Sequence, residues 1–95
     1  MGFYKVSEDA QADLDRIWRR GFEDWGEAQA DKYYTAFFDR FELLAEQPNI
    51  HPSADYIHKG YRKSVCGVDT IYYRVIDDMV EIMNILGRQD IDKWL

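Results

Sequence analysis

The sequence predicts an α+β domain: an N-terminal strand, then an antiparallel helical hairpin packed on a three- to four-stranded antiparallel sheet. Two observations carry the helices. Apolar residues recur at helical spacing from Ala10 to Ala45, and the run is interrupted at Trp25-Gly26 and closed by Pro48. A third carries the sheet: from Tyr61 to Leu86 the pattern turns to alternation rich in Val, Ile and Tyr. Ninety-five residues suit one domain, 1–95, and no repeat or low-complexity segment breaks it.

Residues 2–6 ("GFYKV") form the first expected strand. Ser7 is an N-cap, and Glu8 and Asp9 sit in the first turn, where they favour the positive end of the helix dipole. Ala10, Leu14, Ile17, Trp18 and Trp25 make one apolar stripe. Gly26 is placed to take a left-handed conformation that ends the helix. The second helix is expected over 27–47, with Ala30, Tyr34, Phe37, Phe38, Phe41, Leu44 and Ala45 as its stripe. So short a link makes the two helices antiparallel neighbours.

Residues 48–60 ("PNIHPSADYIHKG") read as irregular, with one turn around Ser53–Ile57. Strands are expected at 61–66, 69–76 and 79–86. Asp77-Asp78 serves as a two-residue hairpin loop and sets Ile76 opposite Met79, Val75 opposite Val80, Arg74 opposite Glu81 and Tyr73 opposite Ile82. In that register Ile71, Tyr73, Val75, Val80, Ile82 and Leu86 share one face with Asn84 and cover the helices. The other face carries Thr70, Tyr72, Arg74, Ile76, Met79, Glu81, Met83 and Ile85. It is half apolar with no further layer expected over it, which marks an interface.

Composition narrows the function. The 46% apolar and 16% aromatic content supplies a core, and the single Cys66 excludes an internal disulfide and fits a reducing compartment. No apolar run suggests a signal peptide or membrane span, so a cytoplasmic location is expected. The net charge is −6. Residues 1–47 hold eleven acids and six bases, and 48–95 hold seven and six. Within 56–76 the sign reverses, with Lys59, Arg62, Lys63 and Arg74 against Asp69 alone. Acidic helices with a locally basic sheet make a poor nucleic-acid binder, and no direct sequence-specific nucleic-acid binding is expected. An anion site or an acidic protein partner stays open.

The chemistry-bearing residues read blandly. His51, His58 and Cys66 match no structural zinc spacing, so neither metal nor cofactor is expected. Cys66 has no histidine placed to activate it and reads as a half-buried strand residue. There is no phosphate loop and no Ser-His-Asp order. Asp13/Asp15 and Asp77/Asp78 are helix-surface and turn charges. Arg74 opposite Glu81 is a cross-strand ion pair. Arg62 and Lys63 diverge to opposite faces, which weakens any cation cluster, and Arg88 follows the last strand. On the second helix Tyr33, Ala36 and Leu43 form a side line. It either pads the first strand or the 48–60 loop, or forms a groove wall for a partner's amphipathic helix.

Five segments together, "AQADLDRIW" (10–18), "WGEAQADKYY" (25–34), "LLAEQPNI" (43–50), "GYRKSVCGVDTIYYRV" (60–75) and "VEIMNILGRQDI" (80–91), resemble ParE-type toxins of the RelE/ParE superfamily. The resemblance implies the toxin of a bacterial type II toxin–antitoxin pair, in a hetero-oligomer with a ParD-like antitoxin. ParE-type members poison DNA gyrase, whereas RelE-type members cut mRNA on the ribosome. In RelE-type nucleases an arginine begins the strand that here starts at Thr70. Of the preceding strand's lysines only Lys63 is matched, Tyr61 standing for another. Arg88 is available in the tail, but "QDIDKWL" has no tyrosine. Many ParE-type members read Leu-His where this chain has Leu86-Gly87.

The resemblance therefore implies a non-enzymatic gyrase inhibitor with no catalytic residues. Its antitoxin would rest on Tyr33, Ala36, Leu43, Tyr72, Arg74, Ile76, Met79 and Met83, with Tyr72, Ile76, Met79 and Met83 as an exposed strip. Arg62, Lys63 and Arg88 would contact the target or an anion. The alternatives are a ribosome-dependent endoribonuclease using Lys63, Arg74 and Arg88, and a non-toxic toxin-fold partner in operon autoregulation.

Overall fold

The computed structural model describes residues 2–87. Its order is β1 (Phe3–Val6), α1 (Glu8–Trp25), α2 (Glu27–Glu46), β2 (Arg62–Cys66), β3 (Asp69–Ile76) and β4 (Met79–Gly87). Two antiparallel helices lie on one face of a four-stranded sheet in the order β1-β4-β3-β2. The expected α+β class holds. β2, β3 and β4 are antiparallel, as expected, while β1 joins β4 in parallel, so the sheet is mixed.

Each helix boundary has a local cause. Ser7 is extended, and its hydroxyl accepts the Ala10 N–H at 3.1 Å. Gly26 ends α1 and starts α2 alone: its N–H donates to the Phe22 carbonyl, and its carbonyl accepts from Ala30 N–H. Its φ of +92° suits glycine, but ψ is 172°, so the chain turns sharply instead of taking the left-handed helical conformation expected. Gly21 is buried where α1 approaches Ala30 of α2, a contact that only small residues allow. Trp25, expected on the buried stripe, is 59% exposed, because the one-residue link leaves it at the hairpin tip.

The core between helices and sheet joins Leu14, Ile17, Phe37, Phe41 and Leu44 to Ile71, Tyr73, Val80, Ile82 and Ile85. The β3–β4 hairpin adopts the expected register from Ile76–Met79 to Tyr73–Ile82. Asp77 and Asp78 have φ of +48° and +65°, the signature of a type I′ turn. Beyond that the register shifts. Tyr72 pairs with Asn84, leaving Met83 as an extra residue in a β-bulge. Side-chain parity reverses past it. Ile85 enters the helix-side core and Leu86 turns to the outer face, exchanging the places expected from strict alternation.

The outer face is not bare. Residues 52–61 fold back across it: Lys63 N–H donates to the Pro52 carbonyl, and Ala54 N–H to the Tyr61 carbonyl at 2.7 Å. Ala54 and Tyr61 are buried with Tyr72 and Leu86 in a second cluster, flanked by Ile57 and Met83. The expectation of no further layer is thus overturned for this half of the sheet.

β1 covers only Met79–Ile82 of β4. The uncovered part is closed by side chains. Ser7 Oγ donates to the Met83 carbonyl, Asp13 accepts the Ile85 N–H, and Arg16 donates to the Ile85 carbonyl, all at 2.9–3.0 Å. These contacts satisfy edge groups of Met83 and Ile85 that would otherwise stand open to another strand.

Candidate functional site

Two surfaces carry the residues singled out from the sequence: the outer sheet face, and the α2 flank facing the β2–β3 turn. On the outer face Tyr72 is fully buried beneath residues 54–61, so it is a packing residue and not part of an exposed strip. Met83 is the half-buried bulge residue beside the same cluster. Met79 is half-buried and Ile76 is 38% exposed, both next to the Asp77-Asp78 turn. The apolar strip is therefore shorter than expected, because the intervening chain covers one end of it.

The cations separate. Arg74 donates to Glu81 from Nε at 2.8 Å and Nη2 at 2.7 Å, and Lys5 of β1 stands 3.4 Å from the other carboxylate oxygen. The Arg74 hydrogen bonds hold the Glu81 carboxyl below its ordinary range. Arg62 lies opposite Tyr73 and donates to the His51 carbonyl at 2.7 Å, on the other face from Lys63. Lys63 lies opposite Tyr72, with Nζ 3.4 Å from the Tyr56 hydroxyl and 5.2 Å from its ring centre. Arg88 lies outside the described residues. Thr70, half-buried, begins the alternation of β3 on this face. Among the described residues no histidine or carboxylate is bonded to Lys63, whose ammonium meets the Tyr56 hydroxyl. Nor do any three of their His, Cys, Asp or Glu side chains stand together to hold a metal ion.

On the α2 flank, Ala36 and Leu43 are exposed, Leu43 at 57%. Tyr33 pads neither β1 nor the 48–60 loop. Its hydroxyl lies 2.9 Å from both Asp69 Oδ2 and the Cys66 carbonyl and accepts the Val68 N–H at 3.1 Å. Asp69 is fully buried and also takes the Arg20 guanidinium at 2.9 Å. Burial, reinforced by the Asp69 charge, raises the Tyr33 pKa well above the ordinary phenol value. Gly67, at φ +62°, permits this contact: a Cβ there would stand 2.5 Å from the Tyr33 ring. Burial likewise raises the Cys66 thiol pKa.

This Arg20–Asp69–Tyr33 junction, tying α1, α2 and β3, escaped sequence reasoning. The available signal was Asp69 itself, the lone acid in a basic segment. Beside the junction an open cleft of about 220 Å³ is walled by Trp25, Gln29, Tyr33, Gly67 and Val68. Trp25 and Val68 supply exposed apolar surface there.

Comparisons agree with this architecture. Residues 4–91 match the family model for the ParE toxin of the type II toxin–antitoxin system parDE. Toxin ParE1 of Mycobacterium tuberculosis is 34% identical over 94 residues, covering 97% of this chain and 96% of that protein. Toxin ParE1 of Caulobacter vibrioides is 35% identical over 83 residues, covering 87% and 85%. Among solved structures, a chain of the chromosomal ParDE system of P. aeruginosa superposes with a TM-score of 0.80 at 21% identity, covering 92% of this chain and 96% of that one. A hairpin on a four-stranded sheet and a near full-length match in sequence converge: the chain belongs to the ParE toxin family of type II toxin–antitoxin systems.

Proposed function

We propose that this chain inhibits DNA gyrase by binding it, performs no catalysis, and is held inactive in the cytoplasm by a ParD-like antitoxin. Arg74 carries the non-catalytic reading. It donates from two nitrogens to Glu81, so its guanidinium is taken up by that carboxylate and not free for a scissile phosphate. Thr70 stands where the RelE-type arginine would be, and among the described residues Lys63 is bonded to no histidine or carboxylate.

The antitoxin reading rests on exposed apolar surface. Ala36 and Leu43 on α2 run toward the cleft at Trp25, Tyr33 and Val68, suiting the anchors of an amphipathic helix. Ile76, Met79 and Met83 offer a second, smaller contact. Lys63 and Arg62 lie at hand for acidic side chains. Tyr72 supports this surface from below.

A supercoiling assay with purified protein and gyrase tests the target. Inhibition that is relieved by the antitoxin supports the reading, and no inhibition at high micromolar protein sinks it. Codon-positioned cuts in translated mRNA, read by primer extension, would instead favour the ribonuclease. Unimpaired growth on expression without antitoxin would favour a non-toxic regulatory partner.

A further inference from the structure

The chain has seven tyrosines, and their surroundings differ sharply. Tyr61, Tyr72 and Tyr73 are buried, and Tyr4, Tyr33 and Tyr34 are partly buried. Tyr56 alone is exposed, at 50%, on the turn that residues 54–61 lay across the outer sheet face. Its hydroxyl oxygen is approached from two sides. Lys63 Nζ stands 3.4 Å away and leans over the ring, and the Tyr72 hydroxyl stands 3.4 Å away. Tyr72 is fixed by its buried ring, and Lys63 by its place in β2 directly opposite Tyr72.

We propose that Tyr56 is a covalent modification site: a nucleophilic phenol, activated by Lys63 and Tyr72, that takes electrophilic acyl-transfer-like groups such as sulfonyl donors. A cation and a hydroxyl donor both stabilise the phenolate, the form that attacks. The hydrogen bond between the Tyr56 and Tyr72 hydroxyls and the Lys63 contacts lower the Tyr56 pKa below the ordinary phenol value, whereas burial raises those of Tyr33, Tyr72 and Tyr73. With an arylsulfonyl fluoride the phenolic oxygen bonds to sulfur, the sulfur–fluorine bond breaks, fluoride leaves and the phenolic proton passes to the buffer. Lys63 acts through its charge. The adduct would stand on the outer face, beside the positively charged edge of β2.

The test is labelling of the full chain with a small arylsulfonyl fluoride near neutral pH, followed by peptide mass spectrometry. Tyr56 is expected to label several-fold faster than Tyr4 or Tyr34, and Lys63→Met to remove most of that advantage. Lys63→Arg should retain it, since the charge persists. Tyr72→Phe should lower the rate several-fold without abolishing it, and Tyr56→Phe should abolish the adduct. Tyr56 labelling no faster than Tyr4 and Tyr34 overturns the proposal. So does a rate unchanged in Lys63→Met whose folding, checked by circular dichroism, is intact.

Discussion

Charged groups at half-buried positions set the pH behaviour of this small domain. Burial first, then the nearby charges of Arg40 and Arg62, hold the His51 imidazole below its ordinary 6.5. The unfolded chain therefore binds a proton there that the folded chain resists, and stability falls as pH drops through that value. His51→Asn should flatten the decline in melting temperature between neutral and mildly acidic pH, measured by circular dichroism. An unchanged slope would assign the decline to other groups. Glu81 acts at lower pH. Its carboxyl is depressed chiefly by the Arg74 hydrogen bonds, so its contribution is present above 4.5 and lost as pH falls through the folded value. The Arg74–Glu81 pair was legible from the sequence because a two-residue loop dictates cross-strand partners. The environment of His51 was not, since it depends on how residues 48–60 fold back.

Individual elements are joined by a few polar contacts whose loss is unequal. Asp69 is fully buried, whereas the Arg20 side chain is 36% exposed. Removing the cation strands a buried carboxylate that already has one oxygen without a hydrogen-bond partner among the described residues. Arg20→Leu should therefore cost about 3 kcal/mol. Asp69→Asn lets Arg20 turn to water while Tyr33 keeps an acceptor, and should cost about 1–2 kcal/mol. Urea denaturation of both variants checks this, and equal losses would count against the asymmetry. At the β3–β4 turn, Asp77 and Asp78 both hold positive φ. Asp77→Asn combined with Asp78→Gly supplies the residue pair that this turn type favours. The double variant relieves the strain and should add about 1 kcal/mol, read as a raised melting temperature. The hairpin itself was visible in the sequence. The bulge at Met83 was not, because alternation continues apolar on both sides of it and either parity buries well.

For the molecule as a whole, the second cluster divides packing from recognition. Tyr72→Ala should cost about 3–4 kcal/mol, since it empties a sealed site beneath Ala54 and Tyr61. Ile76→Ala, at an exposed position, should leave stability within about 0.5 kcal/mol while weakening antitoxin binding. Denaturation and a binding titration on the same variants separate the two. If Ile76→Ala binds antitoxin as wild type does, the turn end of the sheet is not part of that interface.

The sequence by itself determined the class, the order of elements, both helices to within a residue or so, and the hairpin register near its turn. These are local consequences of periodicity, capping and loop length. The resemblance in its five segments led to the family. Only the tertiary structure decided what lies on the outer face. One extra residue in β4 reversed the parity of Ile85 and Leu86, and residues 52–61, with too little periodicity to place, folded over Tyr72. It also brought Arg20, Tyr33 and Asp69 from three elements to one point. Contacts between elements far apart in the chain depend on how those elements pack, and no spacing along the chain encodes that.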